Sequence, residues 1–211
     1  MTIAIFAALL PNKLYGLIVA ALLALPGVRD EGHIADVASG ITSATLQATC
    51  LGDWTSADDC APTWQGRPEE LAALLITTGY WESKFLARIG KGRCEKWECD
   101  AYKGQDGKIY HRARGYFQIQ SSPAITLYEW RNMWGSGEYR AFVASSTAAR
   151  LLGRHRASCK TVQGAISGYA TGGRCGWRKA GARMTTYKVT LDRLSRPAPE
   201  TPSPVLVAKN P

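Results

Sequence analysis

Residues 68–85 read PEELAALLITTGYWESKF, a strong helix start followed by a long apolar run. Pro68 in the first turn forgoes only an amide hydrogen that the helix leaves unbonded, and Glu69 and Glu70 face the positive end of the helix dipole. The pattern predicts a helix from Pro68 to about Ala87. At 100° per residue, Leu71, Leu75 and Thr78 lie within about 40° of Glu82 on the helix wheel, which puts Glu82 on the apolar face. A carboxylate there must be paired, hydrogen-bonded or protonated, because desolvation disfavours its charged form. The protonated state is the one a general acid needs near neutral pH. The competing reading is a structural glutamate held by an arginine or a backbone amide.

Outward from this helix, Ile34, Val37, Ala38, Ile41 and Leu46 recur near the 3.6 period between Asp30 and about Thr49. A loop with Cys50, Trp54, Cys60 and Trp64 follows. Residues 90–114, rich in Gly, Lys, Cys and Asp, read as a long excursion with a small hairpin near Gly104–Gly107. Excursions of this length inside compact domains are usually functional. Helical patterns resume over 122–134, 138–153, 159–170 and Ala180–Leu194.

Three regions result: an apolar segment over 1–28, a domain over 29–195 and a proline-rich tail over 196–211 that cannot pack a core. The first 28 residues carry one charge, Lys13, between the apolar runs Ile3–Leu10 and Leu14–Leu25. Signal peptide, uncleaved anchor and packed helix all fit, although Pro11-Asn12 is expected to interrupt a single spanning helix. Membrane contact through residues 1–25 belongs to the anchor reading.

With 211 residues, 45% apolar and 20% charged, the chain is neither a disordered polymer, a collagen nor a multispan membrane protein. Its charge is lopsided: residues 1–81 hold three basic and eight acidic side chains, residues 82–211 hold 23 and nine. An anionic partner is expected, whether nucleic acid, an acidic membrane surface or the bacterial envelope.

Six cysteines fall in three sequence-local couples, Cys50 with Cys60, Cys94 with Cys99 and Cys159 with Cys175, each closing a short loop. These are the expected disulfides among the 15 possible pairings. Zinc is the rival reading, but His33, His111 and His155 are scattered and no C-x-x-C occurs. Disulfides imply an oxidising compartment or an extracellular particle. That setting, with no recognisable nucleic-acid-binding motif, leaves nucleic acid out of the expected partners.

Three pieces in chain order carry a resemblance: Trp81-Glu82-Ser83-Lys84-Phe85, Arg114-Gly115-Tyr116-Phe117-Gln118-Ile119, and Ile166-Ser167-Gly168-Tyr169-Ala170-Thr171-Gly172-Gly173. Over about residues 68–190 the chain resembles the soluble lytic transglycosylase and goose-type lysozyme group of peptidoglycan-cleaving enzymes. The resemblance implies a mainly α, lysozyme-like fold of the α+β superfamily, with a catalytic cleft between a helical lobe and the 90–114 loop and hairpin lobe. It implies Glu82 as catalytic acid, and Ser83 as a neighbour that contacts substrate or steadies the site. Gly115 would let backbone approach a sugar, Gln118 would hydrogen-bond it, and Tyr169 would meet Glu82 across the cleft. No metal or organic cofactor is implied. The expected partners are peptidoglycan strands and anionic envelope polymers, in the envelope, the periplasm or a bacteriophage particle.

Two positions depart from the family pattern. Ala170-Thr171 stands where Asn-Ala is typical, and Gln120 stands near the place of a second carboxylate in goose-type lysozymes. Two-carboxylate glycosidases require that second group, whereas lytic transglycosylases use one acid and the C6 hydroxyl of N-acetylmuramic acid. The resemblance therefore favours transglycosylation over hydrolysis, with Glu95, Glu98, Asp100 and Asp106 as the acids that a hydrolase would draw on. Trp97, Tyr102, Tyr110 and Tyr116 are candidates for packing against sugar rings. Arg112, Arg114, Arg150, Arg154, Arg156, Arg174, Arg178 and Arg183 are expected to form a basic surface.

Overall fold

The computed structural model describes residues 3–29, 32–51, 61–95, 98–178 and 180–196, with the side chains of 3–10 left aside. The described elements run α1 (Ile3–Leu23), α2 (His33–Thr49), α3 (Pro68–Ser83), α4 (Ala87–Gly90), β1 (Ala101–Lys103), β2 (Ile109–His111), β3 (Ala113–Arg114), β4 (Ile119–Gln120), α5 (Leu127–Asn132), α6 (Glu138–Cys159), α7 (Val162–Thr171) and α8 (Ala180–Ser195). The chain is mainly α, with two small antiparallel sheets, β1 with β2 and β3 with β4.

α3 is the central helix. Every residue from Leu71 to Tyr80 is buried, against α1, α2, α6 and α8. A helix enclosed on all sides has no polar face to contrast with an apolar one. The wheel argument for Glu82 therefore loses its footing, and the chain emerges only at Trp81 and Glu82. α3 stops at Ser83, four residues short of the expected Ala87, because Lys84 and Phe85 adopt φ of 54° and 52°. The Lys84 amide caps Tyr80 O, and Ser83 Oγ accepts from the Phe85 amide at 3.1 Å. Phe85 then folds back onto Gly79, where a Cβ would stand 2.4 Å from the ring; only glycine admits that approach.

α2 crosses α6 with Gly40 against the backbone of Ala141 and Phe142. Ile34, Val37, Ala38, Ile41 and Leu46 are all buried, as their spacing predicts. α6 runs six residues beyond the expected 153. Gly153 is not a stop: a Cβ there would lie 2.4 Å from Thr63 O, so the glycine serves a close approach inside the helix. α5 occupies only the middle of the predicted 122–134 stretch, opened by a capping box between Thr126 and Glu129.

α1 continues through Pro11, contrary to the expected interruption. Proline removes one ladder bond and strains the turn before it, and the helix beyond is held by packing: Leu14, Ile18, Ala21, Leu22 and Leu25 are buried in the core. Among the described residues, no helix is long and apolar enough to cross a membrane.

The 90–114 excursion contains the expected hairpin, with Tyr102 paired to Tyr110 and a turn through Gly104–Gly107. It has its own small core of Ile89, Cys99 and Ala113, with Cys94 packed against it. The Cys94–Cys99 and Cys159–Cys175 disulfides are both formed. The Cys50–Cys60 pairing, Trp54, Trp97 and the tail after Arg196 fall outside the described residues.

Candidate active site

A cavity of about 750 Å3 opens at the C-terminal end of α3, within the roughly 300–1,000 Å3 usual for small-ligand sites. Its wall takes Glu82 from α3, residues 118–122 and 124 from β4 and the segments flanking it, Leu151, Arg154, His155 and Ser158 from α6, and residues 169–173 from the end of α7. No described residue of the 90–114 excursion lines it. The non-helical part of the wall is residues 118–122 and 124, and within the excursion Glu98 is held by Arg88 of α4.

Glu82 is 19% exposed at its side chain and paired with Arg183 of α8, Nη1 to Oε1 at 2.5 Å. Of the states open to a carboxylate here, the paired one is observed. Trp81 and Trp177 flank the guanidinium, with ring centroids 5.8 and 5.1 Å from its carbon. The Trp81 indole donates to Thr186 Oγ1 at 3.0 Å, fastening α3 to α8 beside the pair. Arg183 engages Oε1 alone, and Oε2 has no hydrogen-bond partner among the described residues.

Gln118 and Tyr169 share the cavity wall with Glu82. The Tyr169 hydroxyl donates to Phe117 O at 2.8 Å, so it braces the backbone before Gln118 and does not bond Glu82. Burial, then the Glu82 charge, hold this phenol well above its usual range, with Arg183 acting in the opposite sense. Gln118 adopts φ of 49° and donates through Nε2 to Gly115 O at 2.9 Å. Its side-chain carbonyl is the unengaged end of the amide.

The other expected site residues lie elsewhere. Ser83 is buried, its hydroxyl donating to Gly79 O at 3.0 Å, and it does not line the cavity. Gly115, at φ 66°, is required by Met133 O, which a Cβ would meet at 2.5 Å; it faces the protein interior and not a ligand. Tyr116 is buried between His33 and Phe85, at centroid distances of 6.1 and 6.0 Å. Tyr102 and Tyr110 stack on each other at 5.6 Å on the exposed hairpin, outside the cavity wall.

Among the acids, Glu95 and Glu98 pair with Arg88, and Asp106 accepts from Tyr110. Asp100 reaches the wall only indirectly, accepting from Gln120 Nε2 at 2.8 Å. The basic surface is also partly interior. Arg114 is sandwiched between Trp130 and Trp134 at 4.0 Å from each ring centroid, and Arg150 pairs with Glu129.

Arg183 as the partner of Glu82, and the α6 face of Arg154, His155 and Ser158, escape the sequence reading. The first is 101 residues from Glu82 in the chain. Its only trace in the sequence is the general need of a glutamate on an apolar helix for a cation or a donor. Comparison with family models, curated proteins and solved structures returns no match to this chain.

Proposed function

We propose that the protein is a peptidoglycan lytic transglycosylase that cleaves the β-1,4 bond between N-acetylmuramic acid and N-acetylglucosamine with Glu82 as its single catalytic acid. The fold on this reading is lysozyme-like, acting on the wall from the envelope or from a phage particle. The observation that carries the proposal is the convergence of Glu82, Gln118 and Tyr169, from three separated motifs, on one cavity of about 750 Å3.

Glu82 would use Oε2, the oxygen that Arg183 leaves unbonded. In its protonated form it gives its proton to the glycosidic oxygen as the C1–O bond breaks. As carboxylate, it then takes the proton from the C6 hydroxyl as that oxygen bonds C1, leaving a 1,6-anhydro end and an acid ready for the next turnover. The attacking hydroxyl belongs to the substrate, and intramolecular delivery supplies effective molarities on the order of 10⁵ M or more. Among the described residues no second carboxylate lines the cavity, which supports this route over a muramidase, where a positioned base must activate water.

The Glu82–Arg183 pair favours a second reading, a wall-binding module without catalysis, since Oε1 of the one acid in the described lining is already held by an arginine. Digestion of purified sacculi separates the readings. Wild-type protein is expected to release fragments with anhydro ends, one water lighter than hydrolytic products, and Glu82→Gln to lose at least about 10²-fold in rate. Reducing ends would identify a muramidase, and no soluble fragments at all would leave only the binding module.

A further inference from the structure

Of the Cys94–Cys99 and Cys159–Cys175 disulfides, the second borders the cavity. Ser158, which lines it, precedes Cys159, the last residue of α6, and Gly173, which also lines it, stands two residues before Cys175. The Cys159–Cys175 bond therefore ties together two parts of one wall, the second half of α6 and the turn that ends α7.

Little else holds that turn to α6. The Gly172 and Gly173 amides both donate back to Gly168 O, and Thr171 Oγ1 accepts from the Arg174 amide at 3.0 Å. Among the described residues, none of 172–176 hydrogen-bonds to α6. Gly172 and Gly173 sit at φ of 69° and 130°, and a Cβ on either, or on Gly176, would meet nothing within 4 Å. Three glycines in open space leave the turn many conformations once its tether is cut. The α6 end is packed instead: a Cβ on Gly164 would lie 2.4 Å from Cys159 Cβ. Opening the bond frees the α7 side and leaves α6 in place.

The same bond is open to attack by a thiolate. Cys175 is exposed, and so are Arg174 and Lys160, the chain neighbours of the two cysteines. No acidic residue occurs between Glu138 and Asp192. The local charge is positive, which draws in an anionic thiolate and stabilises the one that departs. Cys94–Cys99 has the opposite setting: Cys99 is only 5% exposed, within the small excursion core, and Glu95, Glu98 and Asp100 flank the pair in the chain.

We infer that Cys159–Cys175 is a thiol-exchange site that gates the cavity: a dithiol reductant opens the bond, the 169–173 wall loosens, and the cavity loses its shape while the domain stays folded. A thiolate of the reductant bonds Cys175 Sγ as Cys159 leaves as a thiolate. The second thiolate of the reductant then displaces Cys175. The reductant ends as a disulfide, and the protein gains two electrons and two protons as two thiols. The inference concerns the wall itself and goes beyond the cleavage reaction proposed for the cavity. A chain in a reducing compartment carries an incomplete cavity, and one in an oxidising space a complete one.

The test exposes folded protein to dithiothreitol, alkylates the freed thiols and locates them by mass spectrometry. Cys159 and Cys175 are expected to be labelled about tenfold faster than Cys94 and Cys99. With only that bond open, far-UV circular dichroism is expected to keep its wild-type form, while hydrogen exchange of the 169–176 peptide rises about tenfold. Fragment release from sacculi is expected to fall at least about tenfold and to return on reoxidation. Cys159→Ser/Cys175→Ser should show the fast exchange with no reductant present, and Cys94→Ser/Cys99→Ser should keep the slow exchange until reductant is added. Earlier labelling of Cys94 and Cys99, unchanged exchange over 169–176, or loss of the circular dichroism signal on opening this bond alone overturns the inference, as does unchanged release alongside fast exchange. If oxidised wild type releases no fragments, the cleavage reading fails by itself, and the expected labelling and exchange uphold the gate without it.

Discussion

Glu82 at the end of α3 and Arg183 on α8 form an ion pair, at 2.5 Å, in the wall of the cavity, with side chains only 19% and 11% exposed. Removing the cation would leave a poorly hydrated carboxylate, while removing the acid leaves a guanidinium that a carboxamide oxygen can still satisfy. Arg183→Gln is therefore expected to lower stability by about 2–4 kcal/mol, and Glu82→Gln by less than half of that. Thermal melts of the two variants check the ordering. Equal melting temperatures for Arg183→Gln and wild type would show the pair to contribute nothing.

Stability is expected to fall in two stages on acidification. His155 is held below its ordinary 6.5 by burial and then by Arg154, so the unfolded chain binds the extra proton first and stability declines as pH drops below about 6.5. Glu98 lies below its ordinary 4.5, chiefly through its hydrogen bonds from Arg88. Burial pushes Glu129 up, but bonds from Thr126 and Arg150 outweigh it and leave it low as well. Both glutamates contribute above about 4.5 and lose that contribution as pH falls towards their folded values. Urea midpoints between pH 8 and 3 should show both stages in wild type and only the lower one in His155→Gln.

Gly40→Ala tests the α2–α6 crossing. Helix propensity alone favours alanine by about 1 kcal/mol. The new Cβ, however, would stand 2.5 Å from Ala141 C and 2.7 Å from Phe142 N, backbone atoms that cannot rotate away. A net loss of about 1–3 kcal/mol is expected, read as a drop of roughly 2–12 °C in Tm. A stabilised variant would mean that the two helices separate freely.

The disulfides should differ in weight. Cys159–Cys175 spans 16 residues and ties the end of α6 to the loop after α7, whereas Cys94–Cys99 spans five. On loop-closure entropy, replacing the first pair by alanine costs about 3 kcal/mol and the second about 2. Denaturant unfolding of the two double variants measures both values, and a reversed order would place the weight of the Cys94–Cys99 bond in the local excursion core.

Local signals in the sequence were readable where local physics decides. Pro68-Glu69-Glu70 opens α3, Gly104–Gly107 turns the hairpin, and the cysteine couples at 94–99 and 159–175 pair as their spacing suggests. The end of α3 was not readable, because it depends on Phe85 returning to Gly79, a packing event no propensity encodes. Tyr116 and Gly115 carry the same residue types a sugar site would use, yet they serve the core and the Met133 carbonyl. The motifs converged on a shared wall through Glu82, Gln118 and Tyr169, but the ion-pair partner of Glu82 came from a helix far along the chain.

The cavity wall is drawn from the end of α3, the segment around β4, the second half of α6 and the end of α7, and its acid is neutralised from α8. A fragment that holds all five must run at least from Glu82 to Arg183. A cut between those two residues thus separates the acid from its partner, and the pair is complete only when the most C-terminal described helix has docked.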